Sequence, residues 1–223
     1  MEKQTKISNP ASKWVVWIFI ALLILNIIAV FSGFAQAQLL NKAIDGEIIT
    51  PSEAISNDTR EAIIGFTQFA LYLASGIVFL IWIHKAHKNL LSLNVSNLRF
   101  TPGWAVGWFF VPVMSLFRPY QVVSEIWKAS YPKADANTTY WKSIPTSPLV
   151  GWWWTLFIIS NFVAQIALRL ILTGEDLSDL LNSTYAYVVS DAIDVVGIMI
   201  TILMVRRISQ FQAAKNKLIS SPQ

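Results

Sequence analysis

Two aspartates, Asp191 and Asp194, lie inside an apolar run that extends over about 184–205. A carboxylate in such a run is costly without a partner, by on the order of several kcal/mol in hydrocarbon. It therefore marks either a position that handles protons or a small cation, or a polar contact that fixes helix register. Tyr187, Asp191, Asp194, Gly197 and Thr201 recur at helical spacing and form one stripe. In the preceding apolar run, about 149–172, Asn161, Gln165 and Arg169 share a face, each four residues from the next. A short loop joins the two runs, so they are expected to pair antiparallel. Depth then sets Asn161 against Asp194, and Arg169 or Gln165 near Asp191. Asn26 and Tyr72 sit at similar mid-depth in two earlier runs.

A second set is basic and aromatic: His84, His87, Arg99, Trp104, Trp108, Arg118, Tyr120, Glu125 and Trp127. His84 and His87, three apart, share a helix face at a spacing open to a metal. There is no cysteine and no third histidine to complete such a site, so no metal is expected. The cluster reads instead as a patch at lipid headgroups or against a partner protein. Arg118 beside a broken helix is suited to a lipid phosphate, with pairing to Glu125 as the plainer alternative. No serine–histidine pair, metal spacing or phosphate loop is present, so neither catalytic residues nor a cofactor are expected, and the chain is not read as an enzyme.

The elements that must position these groups are membrane helices. The chain has 223 residues, 54% hydrophobic and 13% charged, which is not the balance of a soluble domain. Four runs reach spanning length, about 14–34, 62–83, 149–172 and 184–205. The fold class expected is all-α and integral to a membrane. It comprises a segment 1–13, one membrane domain 14–205, and a tail 206–223. Ala35-Gln36-Ala37 resembles a signal-peptidase site, but the run before it is long for a signal core, and an uncleaved helix is expected.

Residues 102–130 are the exception among the apolar segments. Thr101-Pro102 reads as a helix start, but Gly103–Phe117 covers only about 22 Å of a roughly 30 Å core. Pro112 and Arg118-Pro119 interrupt it. A fresh helix from Pro119 places Val122, Val123, Ile126 and Trp127 opposite Gln121, Glu125 and Lys128, an amphipathic pattern suited to a membrane surface. Charge counting favours a re-entrant or interfacial element over a crossing one. If 102–130 does not cross, fourteen basic residues gather on one side, against Lys42 and Arg60 on the other. If it crosses, six stay inside and ten lie outside. Both termini are then cytoplasmic, and all ten tryptophans fall near the cytoplasmic interface.

Pro102-Gly103-Trp104-Ala105-Val106-Gly107-Trp108, Val111-Pro112, Arg118-Pro119-Tyr120-Gln121 and Glu125-Ile126-Trp127-Lys128-Ala129-Ser130 together resemble a bacterial membrane family, domain of unknown function 4328. His84-Lys85-Ala86-His87-Lys88-Asn89 and Gly151-Trp152-Trp153-Trp154 resemble it as well, so the likeness extends over roughly residues 60–210. It implies a bacterial multi-pass protein of the inner membrane, with no activity, substrate or cofactor attached. The expected partners are membrane lipids and a protein partner or second copy. The net charge of +4 is read as positive charge on cytoplasmic loops, not as a nucleic-acid surface.

Overall fold

The computed structural model describes residues 10–132 and 139–220. Among them there is no strand. The helices are α1 (Pro10–Ile44), α2 (Pro51–Ser92), α3 (Pro102–Gly107), α4 (Arg118–Ser130), α5 (Pro148–Thr173) and α6 (Leu177–Ser220). Two short 3₁₀ turns occur at Met114–Leu116 and Thr139–Ser143. Helices α1, α2, α5 and α6 are long and apolar enough to cross a membrane. Their outward residues are large and apolar, among them Phe31, Phe66, Phe162 and Leu172. Helix α1 runs unbroken through Ala35-Gln36-Ala37, and α6 runs unbroken past Arg206-Arg207.

The helix ends follow local chemistry. Before α2, Thr50 N–H donates to Glu53 Oε2 at 2.9 Å and Glu53 N–H donates to Thr50 Oγ1 at 3.3 Å, a reciprocal capping box. Before α3, Thr101 Oγ1 accepts from Trp104 N–H and Pro102 fills the first turn, where its missing donor costs nothing. Helix α1 ends at Gly46, φ +80°, with Glu47 N–H on Lys42 O and Gly46 N–H on Ala43 O. This Schellman arrangement needs a left-handed residue, which glycine supplies without a Cβ penalty. Asn94, φ +54°, does the same at the end of α2.

The described residues divide into two compact units. One comprises, of the described residues, 10–18, 75–132, 139–154 and 200–220; the other comprises Phe19–Ala74 and Thr155–Met199. In the first unit the chain from 100 to 130 is a short helix, a run of turns and α4, not one continuous helix. The break is tight: Met114 N–H donates to Pro112 O at 2.7 Å across Val113, whose φ is +64°. That is a γ-turn of the strained hand, carried here by a β-branched residue. Trp154 pins the turns by donating its indole N–H to Leu116 O at 2.9 Å.

Helix α4 differs from the surface-lying helix that its pattern predicts. Val122, Val123, Ile126 and Trp127 are buried as expected, but so are Ser124 and Glu125. Its polar side tolerates burial largely because Glu125 and Ser130 find partners, whereas the Ser124 hydroxyl is buried without one among the described residues. Lys215 of α6, also buried, donates to Ala129 O at 2.9 Å and so places a cation at the C-terminus of α4. Gln212 donates to Ala86 O and to Ser130 Oγ, and accepts from Asn89.

Candidate functional site

In the first unit, the loop 99–101, α3 with its exit, and the first residue of α4 surround a cleft of about 270 Å³ lined by Arg99, Phe100, Thr101, Trp104, Trp108 and Arg118. Trp104 and Trp108, one helical turn apart, stack with ring centroids 5.0 Å apart. The Arg118 guanidinium lies 5.0 Å above the Trp108 ring and 6.0 Å from Phe100. Arg99 lies 5.5 Å from the same Phe100 ring. Each such cation–π contact stabilises by about 0.5–1 kcal/mol when exposed. The Arg118 side chain donates one hydrogen bond among the described residues, to the neutral Gln121 amide oxygen at 3.0 Å. Among the described residues, neither arginine has a carboxylate within ion-pair distance. Two guanidiniums thus border an aromatic cleft with no carboxylate among the described residues paired to either.

Glu125 does not pair with Arg118. Its Oε1 accepts from Phe100 N–H at 3.2 Å and lies 3.1 Å from His87 Nε2, while Oε2 accepts from Arg99 N–H at 2.7 Å. The carboxylate therefore fixes the loop that presents Arg99 to the cleft. His87 is fully buried, so it does not share an open face with His84, which is exposed and has Nδ1 3.0 Å from Pro102 O. Trp127 is buried with its ring edge-on to Phe211, and Tyr120 is half-buried outside the cleft lining. Of the residues expected at a binding face, Arg99, Trp104, Trp108 and Arg118 come together in one cleft. His87 and Glu125 support it from behind.

A family model described as Domain of unknown function (DUF4328) matches residues 45–210 of this chain. The chain belongs to this family. The match covers the cleft and its supporting pair, and also Asp191 and Asp194. No curated protein and no solved structure matches the chain.

The second unit holds the aspartates, and there the polar groups have other partners than loop adjacency suggests. Gln68 Nε2 donates to Asp191 Oδ1 at 3.0 Å. Tyr72 Oη lies 2.5 Å from Asp194 Oδ2 and 2.9 Å from Asn26 Oδ1. From α5 it is Ser160 that lies beside Asp194, with its hydroxyl 3.2 Å from Ser190 Oγ. Asn161, Gln165 and Arg169 are exposed, and Asn161 returns its amide to Phe157 O at 2.7 Å. The stripe of α6 thus faces α2, where Glu61, Gly65, Gln68, Tyr72 and Ser75 recur at helical spacing. That spacing is the signal by which Gln68 could have been found.

Beside Asp191 is a cavity of about 490 Å³, lined in part by Gln36, Glu61, Gly65, Gln68, Thr184 and Tyr187. Glu61 is compensated by Arg60 at 3.2 Å and by the Ser32 hydroxyl. Asp191 has no described cation within ion-pair distance. No group of three or more His, Cys, Asp or Glu side chains suited to a metal occurs among the described residues.

Proposed function

We propose that this protein is a non-enzymatic, multi-pass protein of the bacterial inner membrane whose cytoplasmic face holds the phosphate of an anionic lipid headgroup. The observation that carries this reading is the pair Arg99 and Arg118, with no described carboxylate paired to either, over Trp104, Trp108 and Phe100. A planar guanidinium donates two parallel bonds to a phosphate, and indole rings favour headgroup depth. Sidedness is supported by charge, with Lys85, Lys88, Lys128 and Lys142 on the same segments as the cleft. It is supported again by Trp141, which donates its indole N–H to Ser96 O at 3.0 Å. That contact holds together the chain entering 102–130 and the chain leaving it, which supports a re-entrant element over a crossing one. The test is lipid carried through purification and identified by native mass spectrometry. Wild-type protein retains an anionic phospholipid, and Arg118→Ala loses it. An Arg118→Ala protein that keeps the same lipid in the same amount removes the reading.

A second reading rests on a different observation, the cavity ending at the uncompensated Asp191. A polar opening of that kind between helices suits a pathway for protons or a small cation. Reconstituted vesicles test it: an ion-dependent flux that Asp191→Asn abolishes supports a pathway, and a flux equal in both proteins, or in neither, refutes it.

A further inference from the structure

The hydrogen bonds around Tyr72 contain a proton deficit. Asn26 is fully buried and donates its amide N–H to Leu22 O at 2.8 Å. That bond fixes the amide, because the opposite orientation would set Asn26 Oδ1 against the Leu22 carbonyl oxygen. Oδ1 therefore points at Tyr72. On its other side Tyr72 Oη meets Asp194 Oδ2. A phenol has one proton, and here it lies between two oxygens. If Asp194 is a carboxylate, the one proton cannot serve both contacts: given to Asn26, it leaves Tyr72 Oη and Asp194 Oδ2 facing each other at 2.5 Å with no proton between them, whatever Ser160 donates. Given to Asp194, it leaves Asn26 Oδ1, buried, with none. If Asp194 carries a proton, every group is satisfied in one direction: Asp194 donates to Tyr72, Tyr72 to Asn26, and Asn26 to the α1 carbonyl.

We propose that Asp194 is a proton-binding site, holding its proton in this conformation as the first donor of a chain that runs through Tyr72 to Asn26. The groups around it agree. On α6 the nearest charge is Asp191, one turn away and bonded only to the neutral Gln68; Tyr187 lies beyond it. On α2, Glu61 is matched by Arg60. From α5, Ser160 offers only a hydroxyl. No described cation lies within ion-pair distance of Asp194. Release of the proton would turn the Tyr72 hydroxyl toward Asp194 and strip Asn26 of its donor, so protonation is coupled to the α1–α2 contact. The inference stands independently of the lipid reading.

Infrared difference spectroscopy tests it on the full-length protein in lipid. At neutral pH, wild type minus Asp194→Asn is expected to show the carbonyl stretch of one protonated carboxylic acid, shifted on exchange into D₂O. The same band persists in Asp191→Asn. In Tyr72→Phe it moves to the position of a carboxyl that donates no hydrogen bond. If Asp194→Asn does not fold, the Tyr72→Phe shift carries the test alone. No protonated-carboxyl band in the first difference overturns the proposal, and so does a band unmoved by Tyr72→Phe.

Discussion

The indole of Trp141 donates to the carbonyl oxygen of Ser96 at 3.0 Å, and so joins the two ends of the segment that contains the arginine–tryptophan cleft. Between these residues lie two helices, a strained turn and most of the first unit's polar contacts. The closure explains why a stretch too short to cross a bilayer is nevertheless well held. It also makes the stability of that segment measurable through a few side chains.

Glu125 is the acceptor for three groups, His87 Nε2, Arg99 N–H and Phe100 N–H. Glu125→Ala removes all three at once in a buried place, and a loss of about 3–5 kcal/mol is expected. Glu125→Gln keeps one oxygen and should lose less. Thermal unfolding in detergent measures both; equal losses would mean that the acceptors do not matter.

Val113 holds φ at +64° in its γ-turn. Val113→Gly relieves that conformation and is expected to stabilise the folded protein by about 1–2 kcal/mol, less the entropy glycine adds to the unfolded chain. Val113→Ile keeps the conflict and should leave the unfolding temperature unchanged or lower.

A Cβ on Gly33 would collide with Val188 Cγ2, so α1 and α6 approach closely there. Gly33→Ala is expected to destabilise by about 1–3 kcal/mol. Adding Val188→Ala should recover part of that loss, because the two side chains compete for one space. A double-mutant cycle of unfolding free energies reads the coupling, and strict additivity would contradict it.

At the cleft, Arg118→Lys keeps the charge but loses the planar fork stacked on Trp108. Affinity for an anionic phospholipid should fall about tenfold, which is about 1.4 kcal/mol, and Arg118→Ala should cost more. Titration of delipidated protein with phosphatidylglycerol, against phosphatidylcholine as control, gives both numbers. Equal binding by wild type and Arg118→Lys would place the anion elsewhere.

Much of this architecture is legible in the residues themselves. Thr50 with Glu53 and Thr101 with Pro102 announce helix starts that form as written, because a cap depends only on neighbours along the chain. The four long apolar runs reveal their helices for the same reason. The aspartates' partners were not legible. A short loop makes α5 and α6 neighbours but does not fix the rotation of either helix about its axis. Rotation is set by the close contact at Gly33 and by the polar stripe of α2. Glu125 shows the same limit. Its amphipathic pattern points to solvent, and only the tertiary fold brings Arg99, Phe100 and His87 to meet it.

The central claim is that 102–130 leaves the membrane on the side where it entered, so that the cleft faces the cytoplasm. Single cysteines in this cysteine-free chain test it with a membrane-impermeant maleimide applied to intact and to opened cells. The account predicts that Ser96→Cys and Ser143→Cys are labelled only after opening, and Asp45→Cys and Ser178→Cys in intact cells. Labelling of Ser143→Cys in intact cells while Ser96→Cys stays protected would mean that the segment crosses, and would contradict it.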